Sequence, residues 1–457
     1  MTRPRGRRFV ARLLLAAGVV ALLGVGRSLA HGGSLGSNAG RALAVPTWLF
    51  LSTGGAVVGA SFLLSSFATD RTFLRQVHGW RRSVSVPNAG RLATAARAVG
   101  LAGLALVLVA GFAGPTEPLR NAAVLLVWAG WWAGLAMSAY LLGNAWPVVN
   151  PFRTLARGLP SFDRKLPVPS GWVATVGLLG LIWLEVVSPL ADAPRLLATV
   201  VLAYAAVALT GAVVFGDRYF TEYDPVSRVF RLYGAVAPLE YDDGLRLRIP
   251  GSGLETDFLE GSGGVAFVVA LLWGPTFDGL VAPPPWATFT RVAVDAGIPP
   301  LVLYPLALAV GFVAFLGAYL LAVRYGARLA DTYRDPAALS RRFAPSLLAI
   351  AAGYHVAHYL GYFLSLTPAL AGALLDPLSP GQAYRLVVPG WFGGLSLAFV
   401  LLGHLLAVWV AHAVAYELFP SRLQAVRSQY GLTLVMVFYT MTSLWIVSRP
   451  YAAPPYL

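Results

Sequence analysis

The chain contains no cysteine, so disulfide bridges, thiolate metal sites and cysteine nucleophiles are all excluded. Lysine is almost as rare, because Lys165 is the single lysine among 34 basic residues, and this excludes a P-loop lysine. Only 12% of the 457 residues are charged, whereas soluble proteins average about 25%. These shortages exclude a disordered chain and an ordinary soluble enzyme.

The chain is instead rich in apolar residues: 57% of the residues are hydrophobic, and the mean hydropathy is +0.68. Uncharged runs of about 20 residues, enough to cross the hydrocarbon core of a bilayer, recur along the chain. The sequence therefore predicts an all-α integral membrane protein. Ten transmembrane helices are predicted, at about 44–66, 98–115, 122–145, 172–190, 195–216, 264–283, 301–323, 345–366, 387–412 and 430–448.

The N-terminus has the pattern of a signal peptide over residues 1–30. A basic stretch precedes a short apolar run, and Ser28-Leu29-Ala30 resembles a cleavage site. The alternative is an uncleaved first helix, which makes eleven spans. The rest of the predicted organisation is an external segment 31–43, helices in 44–216, an acidic cytoplasmic connection 217–263, helices in 264–448 and an external tail 449–457.

The net charge of +14 is distributed unevenly between the predicted connections. Alternate connections hold 22 basic residues, and the connections between them hold 6. By the positive-inside rule, this predicts a multi-pass plasma-membrane protein with both mature termini outside. The expected partners are the lipid bilayer and its anionic cytoplasmic headgroups, rather than nucleic acid. No motif indicates a protein partner.

The connection 217–263 carries nine acidic and five basic residues, so it is predicted to be a solvated connector. Within it, 226–239 is predicted to lie as an amphipathic helix on the membrane surface, with Arg228 and Arg231 toward the headgroups. The alternation over 245–249 predicts a short strand. Together these form a short region of mixed structure in an otherwise helical chain.

Ionisable residues inside the spans are the main functional signal, because they are costly in a bilayer. His355 and His358 are three residues apart and share a helical face. His404 and His412 follow in the next helix, which is expected to pack against the first. The sequence therefore predicts that these four histidines gather in one region.

Two carboxylates are predicted at the same depth as one of these histidines. With a rise of 1.5 Å per residue, Glu185, Asp278 and His358 all lie about 20 Å above the inner boundary. Cleavage after residue 30 would also expose His31, whose amine and ring nitrogen suit copper(II). We therefore expect polar groups from three helices to converge within the membrane.

These residues have several possible roles. His358, His404, His355 and His31 are predicted ligands of a transition metal, with copper favoured over zinc or haem. Asp278 and Glu185 would complete the site or protonate the path. If the protein is a hydrolase, they would instead be the base that activates a metal-bound water. The residues predicted to form a proton path or to orient the ligands are Tyr354, Tyr359 and His412.

A series of short motifs resembles a group of prokaryotic polytopic membrane proteins often labelled fenitrothion hydrolase. The motifs are Ala30-His31-Gly32, Val45-Pro46-Thr47-Trp48-Leu49-Phe50, Asn150-Pro151-Phe152-Arg153, Trp183-Leu184-Glu185, Thr276-Phe277-Asp278-Gly279, Ala357-His358-Tyr359, Gly403-His404, Ala411-His412 and Arg427-Ser428-Gln429-Tyr430. The resemblance includes His358, His404 and His412, but not His355. It implies organophosphoester hydrolysis without assigning catalytic residues.

Three classes of function follow from these observations. The first, which uses the most residues, is a membrane protein that binds a transition metal for transport or redox chemistry. The second is the membrane-bound organophosphoester hydrolase that the resemblance implies. The third is a structural or assembly subunit whose buried polar groups only fix helix packing. Whether the protein is an enzyme stays open between them.

Overall fold

The computed structural model describes residues 47–67, 70–241, 244–447, 449, 455 and 456. The predicted signal peptide and the external segment that follows it lie outside these residues. The described helices are α1 Thr47–Ser65, α2 Arg71–Gly79, α3 Ala89–Ala113, α4 Ala122–Leu141, α5 Trp146–Val149, α6 Pro151–Ala156, α7 Ser170–Val187, α8 Pro194–Phe215, α9 Pro225–Val236, α10 Gly261–Val281, α11 Pro284–Asp295, α12 Pro300–Leu329, α13 Pro336–Phe343, α14 Leu347–Leu375, α15 Phe392–Leu418, α16 Arg422–Ser428 and α17 Tyr430–Val447.

Eight helical stretches in the described part are long and apolar enough to cross a membrane. They are α3, α4, α7, α8, α10, α12, the continuous stretch from α13 to the end of α14, and α15. The prediction of an all-α multi-pass membrane protein is therefore confirmed. The first and last predicted spans correspond to α1 and α17, which pack against each other.

Several helices extend beyond the apolar runs that predict them. α3 begins at Ala89, nine residues before the predicted start, and α14 continues through Pro368 to Leu375. Helical hydrogen bonds do not require an apolar side chain, so a helix continues past the hydrocarbon boundary into its polar flanks. The hydrophobic runs therefore identify the helices but underestimate their lengths.

α10 lies at the centre of the bundle, with nearly all of its apolar length buried by protein. It packs against α7, α12, α14 and α17. Glycines allow the closest approaches between helices: a Cβ on Gly171 of α7 would lie 2.6 Å from the backbone of Gly263 in α10. Similarly, a Cβ on Gly353 of α14 would lie 2.6 Å from the carbonyl oxygen of Phe399 in α15. The expected packing between these two consecutive helices is present.

The five connections predicted to be cytoplasmic contact one another on a single side of the bundle. Strands β1 Arg81–Val84, β2 Leu239–Tyr241 and β3 Leu245–Arg248 form an antiparallel sheet in the order β1-β3-β2. This sheet joins the first of these connections to the third, and β3 confirms the predicted short strand. Further links include Arg71 to the Phe419 carbonyl (2.7 Å), Arg153 to Asp217 (2.6 Å), and Arg342 to both Glu417 (2.6 Å) and the Glu255 carbonyl (3.1 Å).

The predicted helix in the third connection is present, but the prediction that Arg228 faces the headgroups is wrong. α9 packs into the protein, and Arg228 is only 2% exposed, with its guanidinium 5.3 Å from the ring centre of Phe267. Burial, reinforced by neighbouring Arg231, lowers the pKa of Arg228 to about 10. Apolar side chains occupy more than one face of α9 and most of them are buried, while Arg231 is exposed. The connection is therefore a packed part of the fold rather than a solvated linker.

Candidate functional site

The structure brings Asp278 of α10 next to His358 of α14. His358 Nε2 lies 3.4 Å from Asp278 Oδ2, and the two side chains are 26% and 9% exposed. An imidazole beside a carboxylate can hold a proton as an ion pair or release it. The two residues therefore form a protonatable pair where two central helices meet.

The local sequence of α10 removes one helical hydrogen bond just before Asp278, although the helix itself is continuous. Pro275 lies inside the helix and has no N–H to donate to the carbonyl of Leu271. Gly274 precedes it, and a Cβ at this position would lie 2.7 Å from Ile182 Cδ1 of α7. The Gly-Pro pair lies about one helical turn before Asp278.

Glu185 of α7 lies on the same cavity as Asp278. The cavity has a volume of about 510 Å³, and these two carboxylates are the charged residues that line it within the described part of the chain. Tyr359 of α14 lines the same cavity. Glu185 and Asp278 are thus two ionisable groups, from two helices, on one cavity, and His358 is connected to them through its contact with Asp278.

A wall of the cavity is formed by an irregular part of α4. Residues Leu126–Leu135 form a π-helix, which is rare as more than a single turn and is often associated with function. Trp128, Trp131 and Trp132 lie on this segment and line the cavity. Nothing in a hydropathy pattern signals a π-helix, so the sequence does not indicate that these tryptophans line a cavity.

Two tyrosines surround the His358 ring. Tyr354 stacks on it with ring centres 6.1 Å apart, and Tyr359 meets it edge-on at 4.8 Å. The Tyr354 hydroxyl is buried without a hydrogen-bond partner in the described part of the protein. It lies beside Gly279, where a Cβ would come within 2.6 Å of it. Both tyrosines predicted as proton-path residues are therefore in contact with the site.

His355 faces a different set of partners from His358. Its Nδ1 lies 2.9 Å from the hydroxyl of Tyr140 in α4, and its ring is edge-on to Trp132 at 5.4 Å. The ring centre of Tyr359 lies 4.6 Å away, so this tyrosine separates the two histidines. Tyr140 was missed by the sequence reasoning, since a tyrosine in an apolar helix is not distinctive.

His404 and His412 are both fully buried in α15. His404 Nδ1 donates to the carbonyl oxygen of Val400 at 2.8 Å, which leaves Nε2 of the neutral ring as an acceptor. His412 packs against Tyr416 with ring centres 4.6 Å apart. Within the described residues, no group of three or more His, Asp or Glu side chains is arranged to hold a metal ion. His31 lies outside those residues.

Comparison with known proteins finds no matching family model, no similar curated protein and no similar solved structure. The resemblance to proteins labelled fenitrothion hydrolase therefore stays a prediction. The function has to be inferred from the geometry around Asp278, His358 and Glu185.

Proposed function

We propose that the protein exchanges a cation for a proton across the membrane, at a site formed by Asp278, His358 and Glu185. The observation that carries the proposal is the 3.4 Å approach of His358 Nε2 to Asp278 Oδ2 inside the helical bundle. Ionisable groups at such positions most often belong to ion or proton pathways. The cavity that Asp278 and Glu185 line gives further support.

The pair provides a simple basis for exchange. When His358 carries a proton, its positive charge compensates Asp278. When the proton leaves, the Asp278 carboxylate has lost that compensation, and the site favours a cation in its place. A cation and a proton that stabilise the same carboxylate compete with each other, which is the thermodynamic requirement for coupled exchange.

For the membrane arrangement, we propose ten spans in the plasma membrane after removal of the signal peptide, with both mature termini outside. The charge asymmetry of the connections supports this orientation. The contacts that join five connections on one side support their common location. That side carries most of the basic residues and therefore faces the cytoplasm.

Purified protein in acid-loaded liposomes with a pH-sensitive dye tests the exchange. Na⁺, K⁺, Zn²⁺, Cu²⁺ and tetraphenylphosphonium are added outside in turn, and collapse of the pH gradient is recorded. We expect at least one cation to collapse the gradient with the wild type. Asp278→Asn, which keeps the side-chain shape, should lose this activity, whereas the exposed Asp295→Asn control should retain it. Equal activity of wild type and Asp278→Asn, or no response to any cation, would overturn the proposal.

A transition metal is the second candidate for the bound cation, with copper favoured by the sequence. The supporting observation is that one histidine nitrogen and one carboxylate oxygen lie close enough to contact the same ion. Elemental analysis of detergent-purified wild type and His358→Ala tests this. Stoichiometric metal that disappears in the variant would support a metal site, and wild-type protein without metal after copper and zinc loading would refute it.

A further inference from the structure

The cavity beside the proposed exchange site has the size and surface of a small-molecule site. Its volume is about 510 Å³, within the range of roughly 300–1,000 Å³ that is typical of pockets for drug-sized ligands. Apolar and aromatic side chains from α3, α4, α7, α8 and α10 form most of its walls. A bare metal ion or a hydrated Na⁺ needs neither this volume nor this surface.

The charged residues that line the cavity determine whether its ligand is positively or negatively charged. Glu185 and Asp278 both line it, and no arginine or lysine does so within the described part of the chain. An anion would be repelled by two carboxylates in an apolar environment, whereas a cation would be attracted to them. A cation with an apolar body is compatible with both the charge and the walls.

The tryptophans add a second attraction for positive charge. Trp128, Trp131 and Trp132 present aromatic surface to the cavity from the π-helical segment of α4. Cations are attracted to the faces of aromatic rings, most strongly to tryptophan, and more so when water is excluded. Such surfaces accept delocalised organic cations without directional hydrogen bonds.

We propose that the cavity binds a lipophilic organic monocation, such as a hydrophobic amine or phosphonium ion, with its charge between Glu185 and Asp278. This inference rests on the proposed exchange function and names its substrate class. The apolar body of the ligand replaces lipid or water against the cavity wall, and the positive charge replaces the proton on His358 as the partner of Asp278. Glu185 contributes the second negative charge and favours cations over neutral analogues.

Equilibrium binding of radiolabelled tetraphenylphosphonium to detergent-purified full-length protein tests this directly, with uncharged triphenylphosphine oxide as competitor. We expect saturable binding that the neutral compound does not displace. Glu185→Gln should weaken the affinity at least about tenfold, the effect of losing one charge-assisted contact. Lowering the pH should also weaken binding, because protons compete for the same site.

A cavity-filling substitution distinguishes binding inside the cavity from adsorption on the surface. Gly103 of α3 lines the cavity, and a Cβ there meets only Leu126, at 3.9 Å, so a side chain can start at this position without a clash. Gly103→Leu should abolish binding without loss of folding. The matched control is Gly180→Leu in α7, at a position where a Cβ meets nothing within 4 Å and which does not line the cavity.

The outcomes separate this inference from the exchange function. Collapse of the pH gradient by an inorganic cation, with no saturable tetraphenylphosphonium binding, would overturn the substrate class and leave the exchange function standing. Binding that is equal in wild type, Glu185→Gln and Gly103→Leu would also overturn it and would identify the space as a lipid crevice. Binding that follows the expected pattern without transport would retain the site and refute the exchange.

Discussion

The contact between α14 and α15 gives a prediction whose magnitude follows from the structure. A Cβ added at Gly353 would lie 2.6 Å from Phe399 O and 2.8 Å from the Cα of Gly403. The first distance is 0.8 Å short of the 3.4 Å at which ordinary contact begins. Both neighbours are backbone atoms, so the helices themselves must separate.

For Gly353→Ala we expect a lower free energy of unfolding. Overpacking of this kind lowers the free energy of unfolding by about 1–3 kcal/mol. Replacing glycine by alanine in a helix raises it by about 1 kcal/mol. The net expected loss is therefore about 0–2 kcal/mol. Because His355 and His358 follow on the same helix, separation of α14 from α15 should also reduce cation exchange.

Gly372→Ala is the matched control, since it lies in the same helix and a Cβ there meets nothing within 4 Å. This variant should gain up to about 1 kcal/mol, because only the helix-propensity term acts. Unfolding in mixed detergent micelles, followed by circular dichroism, gives both values. If the two variants change stability in the same direction by the same amount, the close packing at Gly353 is refuted.

Three further predictions concern other parts of the molecule. Tyr140→Phe should lower the free energy of unfolding by about 1–3 kcal/mol, because it removes the hydrogen-bond partner of buried His355 Nδ1. Thermal unfolding measures this loss, and the control Tyr384→Phe, at an exposed position, should show none. Because the chain has no cysteine, single cysteines can be introduced at the exposed positions Leu423 and Leu378. The cysteine at 423 should react with an impermeant maleimide from the cytoplasmic side, and the cysteine at 378 from the external side. Reaction of both from one common side would refute the topology. Purified protein should release no nitrophenol from an organophosphotriester above the background of empty vesicles, and release that Asp278→Asn abolishes would favour the hydrolase instead.

The depth of Asp278 and His358 in the membrane could be predicted from the sequence. The side chains that each residue contacts could not. Depth follows from residue number and a fixed rise, so Asp278 and His358 were expected at one level. Rotation depends on which faces pack together. His355 and His358 share a helical face in the sequence pattern, yet His355 contacts Tyr140 while His358 contacts Asp278.

The cavity and the packed inner connection could not be predicted for related reasons. The π-helix over Leu126–Leu135 changes which tryptophans face inward. The hydrophobic periodicity of the sequence does not predict this π-helix. α9 was misinterpreted because its arginines suggested a membrane surface, whereas Arg228 is buried beside Phe267. Both features depend on tertiary contacts between segments distant in sequence, whereas the membrane class depends only on apolar length.

Proton release on cation binding tests the central proposal most directly. A glass electrode in weakly buffered detergent solution records the protons released when the cation that collapses the vesicle gradient is added. We expect a single proton released per bound cation in the wild type, and none in Asp278→Asn or His358→Gln. Cation binding without proton release in the wild type, or equal release in the variants, would contradict a site in which Asp278 and His358 couple the two ions.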